Sequence, residues 1–228
     1  MKVLEKAGYC LYAGSLVNKE ILRHARPDVR LYNTQDMSLE EQMKVIGEAR
    51  DRGEDVARVH TGDPSLYGAI QEQMKALEEM GIDYEVIPGV SSFLAAAASL
   101  RQELTLPGVS QTVIITRVED NTPVPEGEQL KVLGQSRATL CIFLSAHQIE
   151  KIVQELLPLY GQDCPAAVVY KSTWKEEKLI RAPLSQLAEK VRQEGVRKTA
   201  IIVVGRVLAR DFKRSKVYQS LPPTHRPL

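Results

Sequence analysis

Short apolar runs alternate with longer amphipathic stretches along the whole chain, and this alternation limits the fold more than any other feature. It is the pattern of an α/β protein with largely parallel or mixed sheets. Strands are expected at 9–12 (YCLY), 29–32 (VRLY), 55–60 (DVARVH) and 84–87 (YEVI), then at 112–117, 139–145, 166–171, 178–182 and 199–205. The helix expected over 38–53 opens with Ser38 and Glu41 at capping-box spacing and stops at Gly53. Another is expected over 65–80, with Asp63 as N-cap and Pro64 at the first helical position, and a third over the nearly all-apolar SSFLAAAASLR from Ser91. Ser145 and Gln148 repeat the capping-box spacing before AHQIEKIVQELLPLYG, and PLSQLAEKVRQEG supplies a further helix. The 228 residues divide into two α/β domains, 1–108 and 109–228, joined through QELTLPGVSQ.

Two strand–turn–helix junctions stand out, HTGDPS at 60–65 and PGVSS at 88–92. Helix capping accounts for either one alone. A turn at the carboxyl end of a strand is also where open α/β sheets take ligands. Gly62 permits close backbone approach there, and free N–H groups at a helix start hold a carboxylate or phosphate. The glycine fingerprints of dinucleotide and P-loop sites are absent, as is the nucleophile elbow of hydrolases.

Charge excludes other classes. Lys and Arg total 30 against 29 Asp and Glu, a net +1 that gives no global attraction to nucleic acid or acidic membranes. Three cysteines without a Cys-x-x-Cys pair, and four histidines without ligand spacing, point to no disulfide framework and no metal site. No apolar run is long enough to span a bilayer, so a cytoplasmic protein is expected.

The motifs RVHTGDPSLYGAI, IPGVSSFLAAAA, CIFLS, VVYKSTW and AIIVVG occur in an order and spacing that resembles the tetrapyrrole (corrin/porphyrin) methylases over almost the whole chain. LYAGSLVN, ELTLPGVSQTVIITR, TPVPE and SKVY narrow the likeness to members that methylate precorrin-4 or cobalt-precorrin-4 at ring carbon 11 in cobalamin biosynthesis. The resemblance implies S-adenosylmethionine as donor, a cleft between the two α/β domains, and a homodimer. It places Thr61, Gly62, Asp63 and Leu66 at the methionyl end of the donor, and Ser91 and Ser92 at the second turn. Phe143, Leu144, Ser172, Ala200 and Ile201 complete the implied donor contacts, although periodicity alone makes most of these ordinary core. For a substrate rich in carboxylates, Arg58, Arg117, Lys171 and Arg181 are the candidate cations, with Tyr12 and Ser15 facing it. No general base is identified.

The chain departs from the family at its start. Members open with a strand and a GxGPGDP-like loop, whereas MKVLEKAG resembles the helix that follows that loop. The expectation is therefore an N-terminally truncated fold with an exposed sheet edge and a weakened donor site. A catalytically impaired binding protein, or a methylase of the same architecture with another substrate, is the alternative expectation.

Overall fold

In the computed structural model, residues 2–14, 16–120 and 122–209 are described. The chain forms two compact units, Met1–Ser92 and Phe93–Leu228. The first contains α1 (Lys2–Lys6), β1 (Tyr9–Tyr12), β2 (Arg30–Asn33), α2 (Leu39–Asp51), β3 (Val56–Val59) and α3 (Ile70–Glu79). Its three strands are parallel in the order β2-β1-β3, with Tyr9 level with both Arg30 and Val56. One face of the central strand, Tyr9 and Leu11, packs on Met43, Val45, Ile46 and Ala49 of α2. Cys10, on the alternate face, packs with Leu4, Ala7 and Ala57. The expected capping box is formed: Ser38 Oγ accepts the Glu41 N–H at 3.2 Å, and Glu41 Oε2 accepts the Ser38 N–H at 2.7 Å.

The second unit holds most of α4 (Ser92–Leu100), then β4 (Val113–Arg117), α5 (Leu130–Leu133), β5 (Thr139–Phe143), α6 (Ile149–Tyr160), β6 (Pro165–Tyr170), β7 (Lys178–Pro183), α7 (Leu184–Gln193) and β8 (Ala200–Val204). The strand order is β4-β5-β8-β6-β7; β4 runs parallel to β5, and the remaining neighbours are antiparallel. Side chains alternate between two buried faces. Leu140, Ile142, Val168 and Ile202 pack with Ile152 and Leu156 of α6 and with Leu187 of α7. Cys141, Phe143, Val169, Ile201 and Val203 pack with Ala96, Ala97 and Leu100 of α4. Cover on both faces is why these strands read as continuous apolar runs.

Several expectations need correction. The division falls at Ser92/Phe93, not at residue 108, because α4 shares its apolar cluster with β5, β6 and β8. Residues 84–87 form no strand: no strand lies beside them among the described residues, and Tyr84, Val86 and Ile87 stay exposed. The helix expected from residue 65 begins at Ile70. Asp63 and Pro64 start only a turn, with the Leu66 N–H on the Asp63 carbonyl at 3.2 Å; Tyr67 and Ala69 then take left-handed backbone, at φ 56° and 49°, which helix cannot pass through. Ser145 precedes a 3-10 turn, Ala146–Gln148, but its side chain makes no cap bond. Its buried hydroxyl accepts the Val118 N–H at 2.8 Å and donates to the Phe143 carbonyl at 2.6 Å, tying the end of β5 to the chain after β4. Among the described residues no helix is long and apolar enough to cross a membrane.

The two-faced core of the second unit sets its stability. Leu156, fully buried in that core, should cost about 2–5 kcal/mol when replaced by alanine. Leu31→Ala, at a half-exposed position of the edge strand β2, should cost about 0.5 kcal/mol or less. Urea denaturation of the two variants checks the difference.

Candidate functional site

The two turns singled out in the sequence meet. Asp63 Oδ1 accepts the Ser65 N–H and Asp63 Oδ2 accepts the Gly89 N–H, both at 2.9 Å. One carboxylate therefore closes its own turn and fastens the second turn to it. The fit is tight at the backbone: a Cβ added to Gly89 would lie 2.1 Å from the Gly62 carbonyl oxygen. Gly62 has φ +68°, and a Cβ there would stand 3.3 Å from Ser91 Cα and 3.4 Å from Ser92 N. Glycine is thus required at 89 by close approach and at 62 by conformation. The structure brings Thr61, Gly62, Asp63, Ser91 and Ser92 together, with Leu66 half-buried in the same turn.

The charges here have identifiable causes. The Gly89 and then the Ser65 N–H hold the Asp63 carboxyl below its ordinary 3.8, so it is an anion at neutral pH. Burial, and then the neighbouring Arg58 charge, push His60 down to about 4, so it is neutral there. Arg58 is committed within the unit: its guanidinium donates to the carbonyls of Val59 at 3.1 Å and Leu11 at 3.4 Å, and to Gln73 Oε1 at 3.2 Å. It braces β1, β3 and α3.

In the second unit the sequence-predicted residues gather at one end of the sheet. Arg117 closes β4 level with Phe143 of β5, and Ala200 opens β8 level with Tyr170 of β6. Leu144 follows β5, while Lys171 and Ser172 follow β6. Ile201, one residue into β8, is buried core, and Phe143 meets Phe93 edge-on at 6.4 Å between ring centres. Leu144 is 58% exposed. Arg117 Nη1 and Nη2 donate to the carbonyls of Thr122 and Pro123, each at 2.9 Å, so this cation shapes its own loop. The Lys171 ammonium lies 5.5 Å and 5.0 Å from the Tyr170 and Trp174 ring centres, and 3.9 Å from Glu176 Oε1. Arg181 donates to the Leu100 carbonyl at 2.5 Å. Tyr12 ends β1, half-buried, with its carbonyl accepting the Thr34 hydroxyl at 3.3 Å. Ser15 and the SKVY motif lie outside the described residues.

Backbone strain marks the same two places. Of the eight non-glycine residues with positive φ among the described residues, Tyr67 and Ala69 follow the first turn, and Leu144, Lys171, Thr173 and Thr199 lie at the gathered sheet end. Such conformations cost about 1–2 kcal/mol each and persist where surrounding contacts enforce them, which functional sites commonly do. Sequence reasoning could not find this signal, because neither Thr nor Lys advertises left-handed backbone.

Two outcomes follow from this electrostatics. In an NMR titration, His60 should protonate near 4, and the Gly89 amide should report an Asp63 midpoint below its ordinary 3.8. An unfolded histidine takes its proton near 6.5 and the folded one only near 4, so falling pH through that window favours unfolding. His60→Gln should flatten that part of the stability profile. Asp63 acts in the same direction at lower pH: its contribution is present above the unfolded carboxylate value and is lost as pH falls through its lowered one.

Comparison with known proteins shows the family and the fold. The family model described as Tetrapyrrole (Corrin/Porphyrin) Methylases matches residues 1–188. The chain is 50% identical over 219 residues to a cobalt-precorrin-4 C(11)-methyltransferase of Methanocaldococcus jannaschii, covering 95% of this chain and 85% of that one. It is 46% identical over 221 residues to a precorrin-4 C(11)-methyltransferase of Rhodococcus erythropolis, covering 96% and 89%. Among solved structures, a cobalt precorrin-4 methyltransferase superposes with TM-score 0.88 at 42% identity, covering 91% of this chain and 87% of that one. A uroporphyrin-III C-methyltransferase of Thermus thermophilus, complexed with S-adenosyl homocysteine, superposes with TM-score 0.73 at 26% identity, covering 94% and 87%. With the paired glycine turns, the two α/β units and these likenesses in agreement, the chain belongs to the tetrapyrrole (corrin/porphyrin) methylase family.

Proposed function

We propose that the protein transfers a methyl group from S-adenosylmethionine to ring carbon 11 of precorrin-4 or cobalt-precorrin-4, in cobalamin biosynthesis. The observation that carries this reading is the joined pair of turns, an anionic carboxylate beside exposed glycine backbone and three hydroxyl side chains. These groups fit the methionyl end of such a donor. Each Asp63 oxygen has accepted one N–H and has capacity for an ammonium, while we assign the hydroxyls of exposed Thr61 and half-buried Ser92 to a carboxylate, with buried Ser91 behind them. The relatives' names and the homocysteine complex of the Thermus protein support the same donor and substrate class.

Bound S-adenosylmethionine supplies an electrophilic methyl group on a sulfonium. The Asp63 clasp holds the Thr61–Asp63 backbone in one geometry, so that no turn has to reorganise as the donor settles. Leu66 gives the turn an apolar backing. In the second unit we assign Phe143, Leu144, Ala200 and Ile201 to apolar contacts with the adenosyl part, and the Ser172 hydroxyl to a polar one. Positioning the methyl group against a ring carbon can supply roughly 7–11 kcal/mol without a metal. Arg58 and Arg117 act on the substrate side chiefly as framework, because their guanidinium groups already serve backbone carbonyls. Lys171 is the cation we assign to a substrate carboxylate, with Tyr12 and Ser15 beside the substrate. A homodimer in the cytoplasm, with no nucleic-acid or membrane partner, completes the reading.

The test is incubation with S-adenosylmethionine and each form of precorrin-4, followed by mass spectrometry and NMR of the product; one methyl group at ring carbon 11 is expected. Asp63→Ala removes two charge-assisted bonds and should weaken donor binding about tenfold or more in calorimetry. Normal affinity in that variant would count against the assignment.

A further inference from the structure

The segment between β6 and β7 is held in an unfavourable shape by a group outside the residues assigned so far. Lys171 and Thr173 have φ 46° and 72°, in a region that a β-branched residue such as threonine avoids. Glu177 supplies the restraint. Its Oε2 accepts the Ser99 hydroxyl at 2.7 Å and the Thr173 N–H at 2.8 Å. The Ser99 Oγ also lies 3.2 Å from the Ser172 Oγ. Ser99 is the penultimate residue of α4, whose Ala96, Ala97 and Leu100 are packed on the sheet. Next to it, the Leu100 carbonyl takes the Arg181 guanidinium of β7. The loop is thus moored at a rigid point through one carboxylate oxygen.

The state of that oxygen suits the task. The Thr173 N–H, and then the Ser99 hydroxyl, hold the Glu177 carboxyl below its ordinary 4.5, so it is ionised at neutral pH. Bonds to an ionised acceptor are about twice as strong as neutral ones. The Ser99 hydroxyl has a single proton, and donating it to Glu177 leaves its lone pairs for the Ser172 hydroxyl. The Ser172 hydroxyl also bonds the Glu177 carboxylate, so its single proton is directed into the Glu177–Ser99 cluster and its lone pairs are left for another partner.

We propose that Glu177 is a positioning residue of the donor site, fixing the place and orientation of the Ser172 hydroxyl directly and through Ser99 and Thr173. This rests on the assignment of Ser172 to the donor given above. Glu177 touches no donor atom and acts only through the loop. A side chain that merely stabilised the loop would alter the melting temperature and leave donor affinity alone, so affinity is the informative readout.

The experiment uses the full chain with Glu177→Ala, Glu177→Gln and Ser99→Ala. Calorimetric titration with S-adenosylhomocysteine is paired with KM for S-adenosylmethionine, kcat and thermal melting. Glu177→Ala should raise Kd and KM about tenfold, with kcat at saturating donor nearly unchanged. Glu177→Gln keeps a carbonyl oxygen able to accept both bonds and should stay within about threefold of wild type. Ser99→Ala should fall between them. Wild-type affinity in a folded Glu177→Ala protein overturns the proposal, as does a Gln variant as weak as the Ala variant, or a loss confined to kcat. If Glu177→Ala does not fold, Ser99→Ala decides, and wild-type affinity there overturns it. Wild-type protein that does not bind S-adenosylhomocysteine removes the donor assignment itself, a distinct failure that takes this inference with it.

Discussion

A single carboxylate accepting two backbone N–H groups 24 residues apart, those of Ser65 and Gly89, is the contact on which the first unit's site depends. Neither turn is held by sheet hydrogen bonds at that point: β3 has ended at Val59, and the residues before Gly89 are in no strand. Asp63 replaces the missing ladder with two charge-assisted bonds. The glycines then decide how near the turns come. Any side chain at 89 would meet the Gly62 carbonyl, so the two backbones share a space that side chains would otherwise fill. What remains on the surface is bare glycine backbone, the Thr61 hydroxyl and a negative charge, with Ser92 half-buried and Ser91 buried behind them.

The second unit solves a different problem. Its sheet is covered on both faces, so the strands are fixed along their length and only their ends are free to vary. Leu144, Lys171, Thr173 and Thr199 take unfavourable backbone at one such end. The Lys171 N–H on the Thr199 carbonyl, at 2.9 Å, and Glu177 on Ser99 and Thr173 are the bonds that enforce it. A well-packed sheet tolerates this strain because the core, not the loop, carries the stability.

The parts legible in the sequence are those governed by short-range rules. The Ser38–Glu41 capping box and the apolar α4 formed as read, and eight of the nine expected strands appear with small shifts at their ends. What was illegible depends on partners distant in sequence. Residues 84–87 have strand composition, yet a strand needs a neighbour, and none of the described residues provides one. Asp63-Pro64 is a sound helix start by local rules, but the carboxylate serves Gly89, and left-handed Tyr67 and Ala69 postpone the helix to Ile70. Ser145 has the spacing of a cap and is instead a buried tie between Val118 and Phe143. Arg58 and Arg117 read as free cations because nothing in the local sequence reveals the carbonyls they serve. The candidate site residues come from resemblance to the family, and periodicity alone leaves Phe143 and Ile201 as core.

On the proposed reading, the Asp63-joined turns hold the methyl donor. A crystal structure of the protein with S-adenosylhomocysteine tests it most directly. The amino-acid end of the ligand should lie against the backbone of Thr61, Gly62 and Asp63 and the hydroxyls of Ser91 and Ser92, with the Asp63–Gly89 bond intact. A ligand bound away from both turns, or a bond broken on binding, would contradict it.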